Sequence, residues 1–187
     1  CYEPAALGPM MRQLLGAPRP ERLLVTHGRA TAAVRGWLQT AEASGVDRRR
    51  LHFLPPLSQR DYDHLLWTCE CNFVRGEDSL VRALWAGRPW VWQIYPQGDG
   101  VHHAKLRAFL AMACLPEDWQ AFHHHWNGDA QPTGTDAPVP VPSAWAPAAG
   151  ALRARLGGQS DLLSRLRAFV EPHRNAPQGG GPVMETS

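Results

Sequence analysis

The sequence lacks several motifs that would assign it to a well-known class of enzyme. It contains no G-x-G-x-x-G and no G-x-x-x-x-G-K-[ST] string, which counts against a dinucleotide dehydrogenase and against a P-loop enzyme. It also contains no G-x-S-x-G elbow, so hydrolase chemistry of that type lacks its nucleophile. The net charge of +2 gives no electrostatic case for nucleic-acid binding, which usually needs a concentrated basic face.

Long apolar runs and a secretory leader are also missing from the sequence. No run approaches the roughly 20 apolar residues of a membrane span. The start of the chain has neither a basic n-region nor an apolar h-region. We therefore expect no membrane partner and a cytoplasmic location. Because the chain begins with Cys1-Tyr2-Glu3-Pro4 and not with Met, we also expect it to be part of a longer protein.

Metal-binding patterns are sparse as well. The four cysteines, at positions 1, 69, 71 and 114, form no C-x-x-C pair. Cys69 and Cys71 are expected to point to one face of a strand, and buried, reduced thiols are favoured over a disulfide or a metal site. Histidines 123–125 are adjacent on a predicted helix, where neighbours point about 100° apart and cannot converge on one ion. We predict a surface histidine run and no metal.

What the sequence does contain is a regular alternation of strand and helix patterns. Short apolar runs at residues 22–26, 51–54, 71–74 and 90–94 are separated by amphipathic helical patterns. A further strand is expected to end at Tyr2-Glu3-Pro4. The alternation predicts an α/β fold, with a Rossmann-like parallel sheet, helices on both faces and several helices after residue 100. We expect one domain over residues 1–174 and a disordered, Gly/Pro-rich tail over 175–187.

Four groups able to contact a ligand, Arg75, Glu77, Asp78 and Ser79, lie within five residues of the stretch Asn72-Phe73-Val74-Arg75-Gly76-Glu77-Asp78-Ser79. Here an apolar strand stops at a glycine and a helical pattern begins. Free N–H groups and the positive end of the helix dipole make such a place favourable for phosphate. The alternative is an ordinary helix start with Asp78 or Ser79 as the N-cap. Ligands bind at the carboxyl ends of open parallel sheets, so the predicted site gathers from five separated segments.

These residues carry a resemblance to a known family. Cys71 to Ser79, then Val81-Arg82-Ala83, Trp85-Ala86-Gly87 and Trp92-Gln93-Ile94-Tyr95-Pro96-Gln97 closely resemble the EarP family of protein-arginine rhamnosyltransferases. The similarity begins at Cys1-Tyr2, continues through Lys105-Leu106 and Ala108-Phe109-Leu110, and extends to about residue 170. An N-F-V-R-G-E-D-S string coupled to W-Q-I-Y-P-Q is far more specific than a lone glycine motif.

The resemblance implies a fold and a reaction. The family has a two-domain GT-B glycosyltransferase fold and transfers rhamnose, with inversion, from TDP-β-L-rhamnose to an arginine of translation elongation factor P. This chain resembles the carboxy-terminal, donor-binding half only. The general-base aspartate and most of the surface for elongation factor P belong to the amino-terminal domain. The resemblance therefore implies a chain that binds the donor without transferring sugar by itself, and that needs neither a cofactor nor a metal.

The resemblance also implies contacts around the nucleoside. Tyr2 and Tyr62 would pack around the thymine and deoxyribose, and Gln59 would hydrogen-bond the base. Arg75 would either offset phosphate charge or support Glu77, and the residues do not choose between these roles.

A second group of implied contacts surrounds the diphosphate and the sugar. Asp78, Ser79 and Tyr95 would hold the diphosphate region, helped by free N–H groups after Gly76. Glu77 would contact the sugar end, orient the reaction and act as the catalytic carboxylate of this half.

Two departures from the family pattern and two other functions stay open. Glu70 stands where the family more often has aspartate, and Gly98 replaces an expected acidic residue before Asp99. The chain could instead belong to another GT-B nucleotide-sugar transferase or epimerase. It could also be a protein-binding module without a nucleotide site.

Overall fold

The computed structural model describes residues 4, 6–16, 21–98, 100–129 and 140–174, with side chains described as far as Glu171. Residues 1–154 form one compact unit and residues 155–187 form a second. The predicted strand end at Tyr2, the acidic Asp99 and the predicted disordered tail all lie outside the described residues.

Helices and short strands alternate along the described chain. In order they are α1 (Leu7–Gly16), β1 (Leu23–Val25), α2 (Arg29–Trp37), β2 (Leu51–Phe53), α3 (Gln59–Thr68), β3 (Asn72–Arg75), α4 (Gly76–Ala86), β4 (Trp90–Gln93), α5 (Val101–Ala113), α6 (Glu117–Trp126), α7 (Pro142–Gly157) and α8 (Leu162–Arg174). Two short 3-10 turns lie between α2 and β2. The predicted α/β class, with helices following residue 100, is confirmed.

The strands are parallel, as predicted, but they form two separate pairs. Leu23 lies opposite Leu51 in the β1–β2 pair, and Asn72 lies opposite Trp90 in the β3–β4 pair. Within the described residues these pairs are two two-stranded sheets, with the orders β1–β2 and β3–β4.

Single residues set the boundaries of two elements. Helix α2 ends near Leu38, because Thr40 is extended and its hydroxyl donates to the Trp37 carbonyl at 2.7 Å. Strand β3 begins at Asn72, where the side-chain amide donates to the Leu66 carbonyl at 2.9 Å. This bond holds the turn before the strand.

The later start of β3 makes the prediction for the cysteines wrong in part. Cys69 follows the end of α3 and Cys71 lies in the turn before β3, so they do not share a strand face. Burial raises the pKa of both thiols, and that of Cys71 to about 12. Cys114, expected to be buried, is exposed at the end of α5. All three are free thiols.

The outer edge of β4 is covered by side chains of α6 and the residue after it. Trp119 Nε1 donates to the Trp90 carbonyl at 2.7 Å, and the Trp92 N–H donates to His123 Nε2 at 3.1 Å. The side-chain amide of Asn127 bonds the next two backbone groups along this edge. Its Nδ2 donates to the Trp92 carbonyl at 2.8 Å and its Oδ1 accepts from the Ile94 N–H at 3.0 Å.

The three covering residues are spaced by four along the chain, so one helix face follows the strand edge. An exposed edge would present unpaired N–H and C=O groups, which promote pairing with other chains. In this protein the side chains of Trp119, His123 and Asn127 take the place of a neighbouring strand.

His123 corrects the prediction of a surface histidine run. Its side chain is fully buried, between the Trp92 N–H and the Trp119 carbonyl, whose oxygen lies 3.0 Å from Nδ1. Burial, followed by the nearby charge of His124, lowers the pKa of His123 to about 4, although the bond to Trp119 acts in the opposite direction. The ring is therefore neutral at pH 7, which the bond from Trp92 requires, because only an unprotonated nitrogen can accept.

Helix α8 lies in the second unit. Asp161 caps its start by accepting from the Ser164 N–H at 3.0 Å. An aspartate at this position satisfies one of the free N–H groups at the helix start. Its exposed apolar residues follow helical spacing: Leu162, Leu163, Leu166, Phe169 and Val170.

Candidate functional site

Three helices begin with a glycine N-cap or a first glycine at the carboxyl ends of the strands. Gly28 precedes α2 with φ +93°, Gly76 begins α4 with φ +74°, and Gly100 precedes α5 with φ +75°. None of the three helices has a side-chain hydrogen bond at its N-cap. Helix α3 differs, because its N-cap Ser58 accepts from the Asp61 N–H at 3.2 Å.

The start of α4 corrects one of the sequence alternatives. The helix begins two residues before Asp78, with Arg75 in the N-cap position, so neither Asp78 nor Ser79 is the cap. The positive φ of Gly76 turns the chain sharply from β3 into the helix, and residues with a Cβ adopt that conformation rarely. The turn is held by Trp92, whose Nε1 donates to the Gly76 carbonyl at 3.0 Å.

Tyr95 lies against this turn. A Cβ built on Gly76 would be 2.8 Å from Tyr95 Cε2, so the ring packs where any other side chain would be. The Arg75 guanidinium lies over the same ring, 5.3 Å from its centroid, at the distance of a cation–π contact. Half of Tyr95 remains exposed, 51% of its surface. The structure thus brings Arg75, Gly76 and Tyr95 together at one turn.

The first turn of α4 presents three polar side chains of different environment. Glu77 is exposed and, among the described residues, has no hydrogen bond or ion pair. Asp78 is also exposed, and its Oδ2 accepts from Arg82 Nε at 3.2 Å. Ser79 is half-buried. The backbone N–H groups of these residues follow an uncapped helix start, where the helix dipole favours an anion.

Two residues that the sequence analysis did not select join α3 to α4. Arg82 Nη1 donates to both carboxylate oxygens of Asp63, at 2.9 and 3.0 Å. Gln59 lies one turn before Asp63, with its amide against Arg82. We assign the amide oxygen to that side, because there it accepts from Nε at 2.9 Å and from Nη1 at 3.2 Å, whereas an NH₂ group would face two donors. Hydrogen bonds to Asp63 and then to Asp78 raise the pKa of Arg82, which remains charged.

A sequence signal for this network existed. Gln59 and Asp63 are spaced i, i+4 on one helix, and Asp78 and Arg82 have the same spacing on the next. Two such polar pairs on consecutive helices of an α/β fold favour an ion-pair contact between the helices. Tyr62, the other expected nucleoside contact on α3, is half-buried, whereas Tyr2 lies outside the described residues.

The loop after β4 carries a small hydrogen-bonded group. The Gln97 N–H donates to His102 Nδ1 at 3.1 Å, and Lys105 Nζ donates to Gln97 Oε1 at 2.9 Å. Both partners lie on α5, so the loop is fixed to the first turns of that helix. This arrangement holds the chain that follows Tyr95.

A second charged cluster surrounds Asp129, whose side chain is only 8% exposed. Arg107 Nη1 donates to both of its oxygens, at 2.7 and 2.9 Å, and His124 Nδ1 lies 2.9 Å from Oδ2. Burial raises the pKa of Asp129, but these bonds and the nearby His103 outweigh it, and the pKa is below its ordinary value. The cluster fixes the end of α6, which follows the covered edge of β4.

The described residues contain no group of three or more His, Cys, Asp or Glu side chains that could hold a metal ion. None of the helices in the described ranges has the length and apolarity needed to cross a membrane.

Comparisons with known proteins agree with the motif around Gly76. The family model described as elongation-factor P (EF-P) rhamnosyltransferase EarP matches residues 1–171. A protein-arginine rhamnosyltransferase of Pseudomonas aeruginosa is 45% identical over 137 residues, covering 67% of this chain and 36% of that protein. One of Neisseria meningitidis is 34% identical over 153 residues, with the same two coverages of 67% and 36%.

A solved structure, which describes EarP-mediated arginine glycosylation of translation elongation factor EF-P, matches the fold. Its TM-score is 0.65 at 35% identity, and the match covers 94% of this chain and 58% of that one. This chain spans about a third of the length of the curated relatives it matches. The match over residues 1–171, together with the glycine turn that carries the most specific motif, shows that the chain belongs to the EarP rhamnosyltransferase family.

Proposed function

We propose that this chain binds TDP-β-L-rhamnose at the carboxyl ends of its strands, as the donor-binding part of a GT-B enzyme that transfers rhamnose to an arginine of elongation factor P. Family membership supports the reaction class, and the names of the relatives support arginine as the acceptor. The single observation that carries donor binding is the α4 start, where a positive-φ glycine, an uncapped helix and Tyr95 coincide.

The geometry suits a leaving nucleoside diphosphate. Negative charge develops on the diphosphate as the glycosidic bond breaks, and oriented N–H groups at a helix start stabilise such charge without reorganising. The Ser79 hydroxyl and the Tyr95 hydroxyl would add hydrogen bonds to phosphate oxygens. Arg75, beside the Tyr95 ring, is the cation of this turn and would offset phosphate charge.

The pairing of Asp78 refines its expected role. A carboxylate repels a diphosphate, and Asp78 has Arg82 as its cationic partner. We infer that Asp78 serves the diphosphate through its backbone N–H, while its side chain helps to hold Arg82. Glu77, exposed one residue earlier, would then be the carboxylate nearest the sugar.

The acceptor chemistry requires more than this half. An arginine guanidinium remains protonated at neutral pH and is a poor nucleophile, so carboxylates near it are needed as well as a bound donor. Glu77 is one such carboxylate. We propose that the general base comes from the amino-terminal domain of the family. Purified as it stands, this chain should bind TDP without transferring rhamnose to elongation factor P, as followed by the mass of the acceptor.

The experiment for donor binding is calorimetry with TDP, UDP and GDP. TDP should bind most tightly, and Ser79→Ala and Tyr95→Phe should each weaken it by about 1.5–3 kcal/mol, the value of a hydrogen bond to a charged group. Ser44→Ala, an exposed serine at the end of a 3-10 turn, is the matched control and should leave TDP affinity unchanged.

Three results would redirect the proposal. Comparable affinity for UDP would contradict a thymidine donor and favour another nucleotide-sugar enzyme. Unchanged TDP affinity in both variants would place the site elsewhere. No binding of any nucleotide would favour a protein-binding module.

A further inference from the structure

The Arg82 guanidinium is surrounded by more hydrogen-bond acceptors than an ion pair with one carboxylate would provide. Its Nη1 and Nε groups face the carboxylate of Asp63, the carboxylate of Asp78 and the side-chain amide of Gln59. Arg82 and Asp63 lie in the second turns of their helices, whereas Gln59 and Asp78 lie in the first turns. Helical side chains lean toward the N-terminus, so Arg82 reaches up to the first-turn residues at the ligand end of the strands.

The chemistry of the guanidinium fixes the orientation of the Gln59 amide. An arginine side chain has five N–H donors and no acceptor. A glutamine beside it must therefore present its oxygen to Arg82, and its NH₂ group then faces away from Arg82. Gln59 is exposed, so a ligand on that side meets a hydrogen-bond donor and not an acceptor.

We propose that Arg82 is a positioning residue that sets base selectivity by fixing the Gln59 amide with its NH₂ toward the nucleotide base. Thymine and uracil carry a carbonyl oxygen at C4, which can accept a hydrogen bond from the Gln59 NH₂ group. Cytosine carries an amino group at C4, so this amino group and the Gln59 NH₂ group, both donors, would face each other. The inference rests on the proposed function, because it requires a nucleotide base beside Gln59.

Asp63 explains why Arg82 holds its place. The two nearly equal bonds from Nη1 to Asp63, at 2.9 and 3.0 Å, anchor the guanidinium to α3. The Arg82 and Asp63 side chains are both 29% exposed, so the pair is partly shielded from water. Without Arg82, the Asp63 carboxylate would accept from the Gln59 NH₂ and turn the amide oxygen outward.

The test compares dUDP with dCDP by calorimetry. These ligands share sugar and diphosphate and differ at the base edge, so changes in charge at the phosphate site cancel in the ratio of their affinities. The unmodified chain should prefer dUDP by about tenfold, the effect of one unmade hydrogen bond. Arg82→Met should bring the ratio to one or below. The control is Arg60→Met, at an exposed arginine on α3 beside Gln59, and it should leave the ratio unchanged.

A second variant does not depend on the folding of Arg82→Met, whose stability is checked by urea unfolding. Gln59→Glu offers only acceptors, so it should bind Arg82 and favour dCDP over dUDP. Equal affinities of the unmodified chain for dUDP and dCDP would overturn the inference. So would an unchanged preference in Arg82→Met or in Gln59→Glu. If neither these ligands nor TDP bind the unmodified chain, the proposed function itself is wrong.

Discussion

The outer edge of β4 and the start of α4 treat backbone polar groups in opposite ways. Along the edge, the side chains of Trp119, His123 and Asn127 bond four backbone groups: the Trp90 carbonyl, the N–H and carbonyl of Trp92, and the Ile94 N–H. At the start of α4, no side chain caps the helix, although Glu77, Asp78 and Ser79 lie within reach of the cap position in sequence. One set of backbone polar groups is therefore hydrogen-bonded to side chains, whereas the N–H groups at the start of α4 have no capping side chain.

The contrast is consistent with the proposed ligand site at the start of α4. An uncapped start is not in itself a site, because α2, α5 and α6 also lack side-chain caps. Helix α4 differs by having its first glycine packed under Tyr95, with Arg75 over the same ring. At the β4 edge the polar residues are used for stability. Around Gly76, the side chains of Glu77 and Asp78 are exposed and that of Ser79 is half-exposed.

Replacing Gly76 by alanine should have the largest effect on stability and TDP binding, because it disrupts the uncapped start of α4. The alanine must adopt a positive φ, and its Cβ would lie 2.8 Å from Tyr95 Cε2. Strain of this kind costs about 1–3 kcal/mol, and the displaced turn and ring should reduce TDP binding below detection. Urea unfolding and calorimetry measure the two effects.

Gly87→Ala is the control at the other end of the same helix. Gly87 also has a positive φ, of 66°, and a Cβ there would meet Arg153 Cδ at 2.6 Å. It should lower stability and leave TDP affinity unchanged. Equal losses of TDP affinity in both variants would show that binding depends on the stability of α4 and not on the turn.

Lowering the pH should destabilise the covered edge of β4, because His123 becomes protonated. The folded pKa of about 4 lies below the ordinary value of 6.5, so between these values the unfolded chain binds more protons than the folded one. The free energy of unfolding is then greatest above pH 6.5 and falls as the pH drops toward 4. At about 1.4 kcal/mol for each pKa unit, the loss approaches about 3 kcal/mol. Urea unfolding at several pH values measures it.

Two variants separate His123 from other titrating groups. His123→Gln should be less stable at pH 7 but should lose most of this pH dependence. His125→Ala, at the half-exposed last histidine of the run, should retain it. A full pH dependence in His123→Gln would assign the effect to another residue.

Asn127→Asp tests the edge with a smaller change. The carboxylate keeps an acceptor for the Ile94 N–H but loses the donor to the Trp92 carbonyl, which leaves that carbonyl unsatisfied. We expect a loss of about 1–3 kcal/mol in the free energy of unfolding at pH 7. Unchanged stability would show that water replaces the lost donor.

Ser58→Ala should give the smallest effect and compares a capped helix start with the uncapped one. Ser58 Oγ accepts from the Asp61 N–H and donates to Asp61 Oδ2 at 2.6 Å. Loss of this cap should cost about 1 kcal/mol in urea unfolding. Ser79→Ala, at an uncapped start, should change stability much less, and a similar loss there would show an undetected capping role.

The sequence predicted the order of strands and helices well, because each apolar run has a clear period. It failed where a single residue redirects the chain. Helix α4 begins at Gly76, since a positive-φ glycine can start a helix directly after a strand, and propensity favoured Asp78 or Ser79 as a cap. Asn72 similarly begins β3 later than the apolar run at Cys69 and Cys71 suggested.

The contacts between elements were the least predictable. A histidine among histidines is typical of a surface, and only the i, i+4, i+8 spacing of Trp119, His123 and Asn127 indicates one face directed at a neighbour. Arg82 was within the family motif, yet its partner Asp63 lies 19 residues earlier on α3. Side-chain pairs between helices depend on packing, which a single sequence does not specify.

Trp92 takes part in both regions, because its backbone bonds His123 and Asn127 while its ring N–H holds the Gly76 carbonyl. A substitution at the edge would shift the indole and with it the turn, so we expect changes at positions 76, 92, 123 and 127 to be energetically coupled. The edge, far along the chain from Gly76, would then influence the proposed nucleotide site.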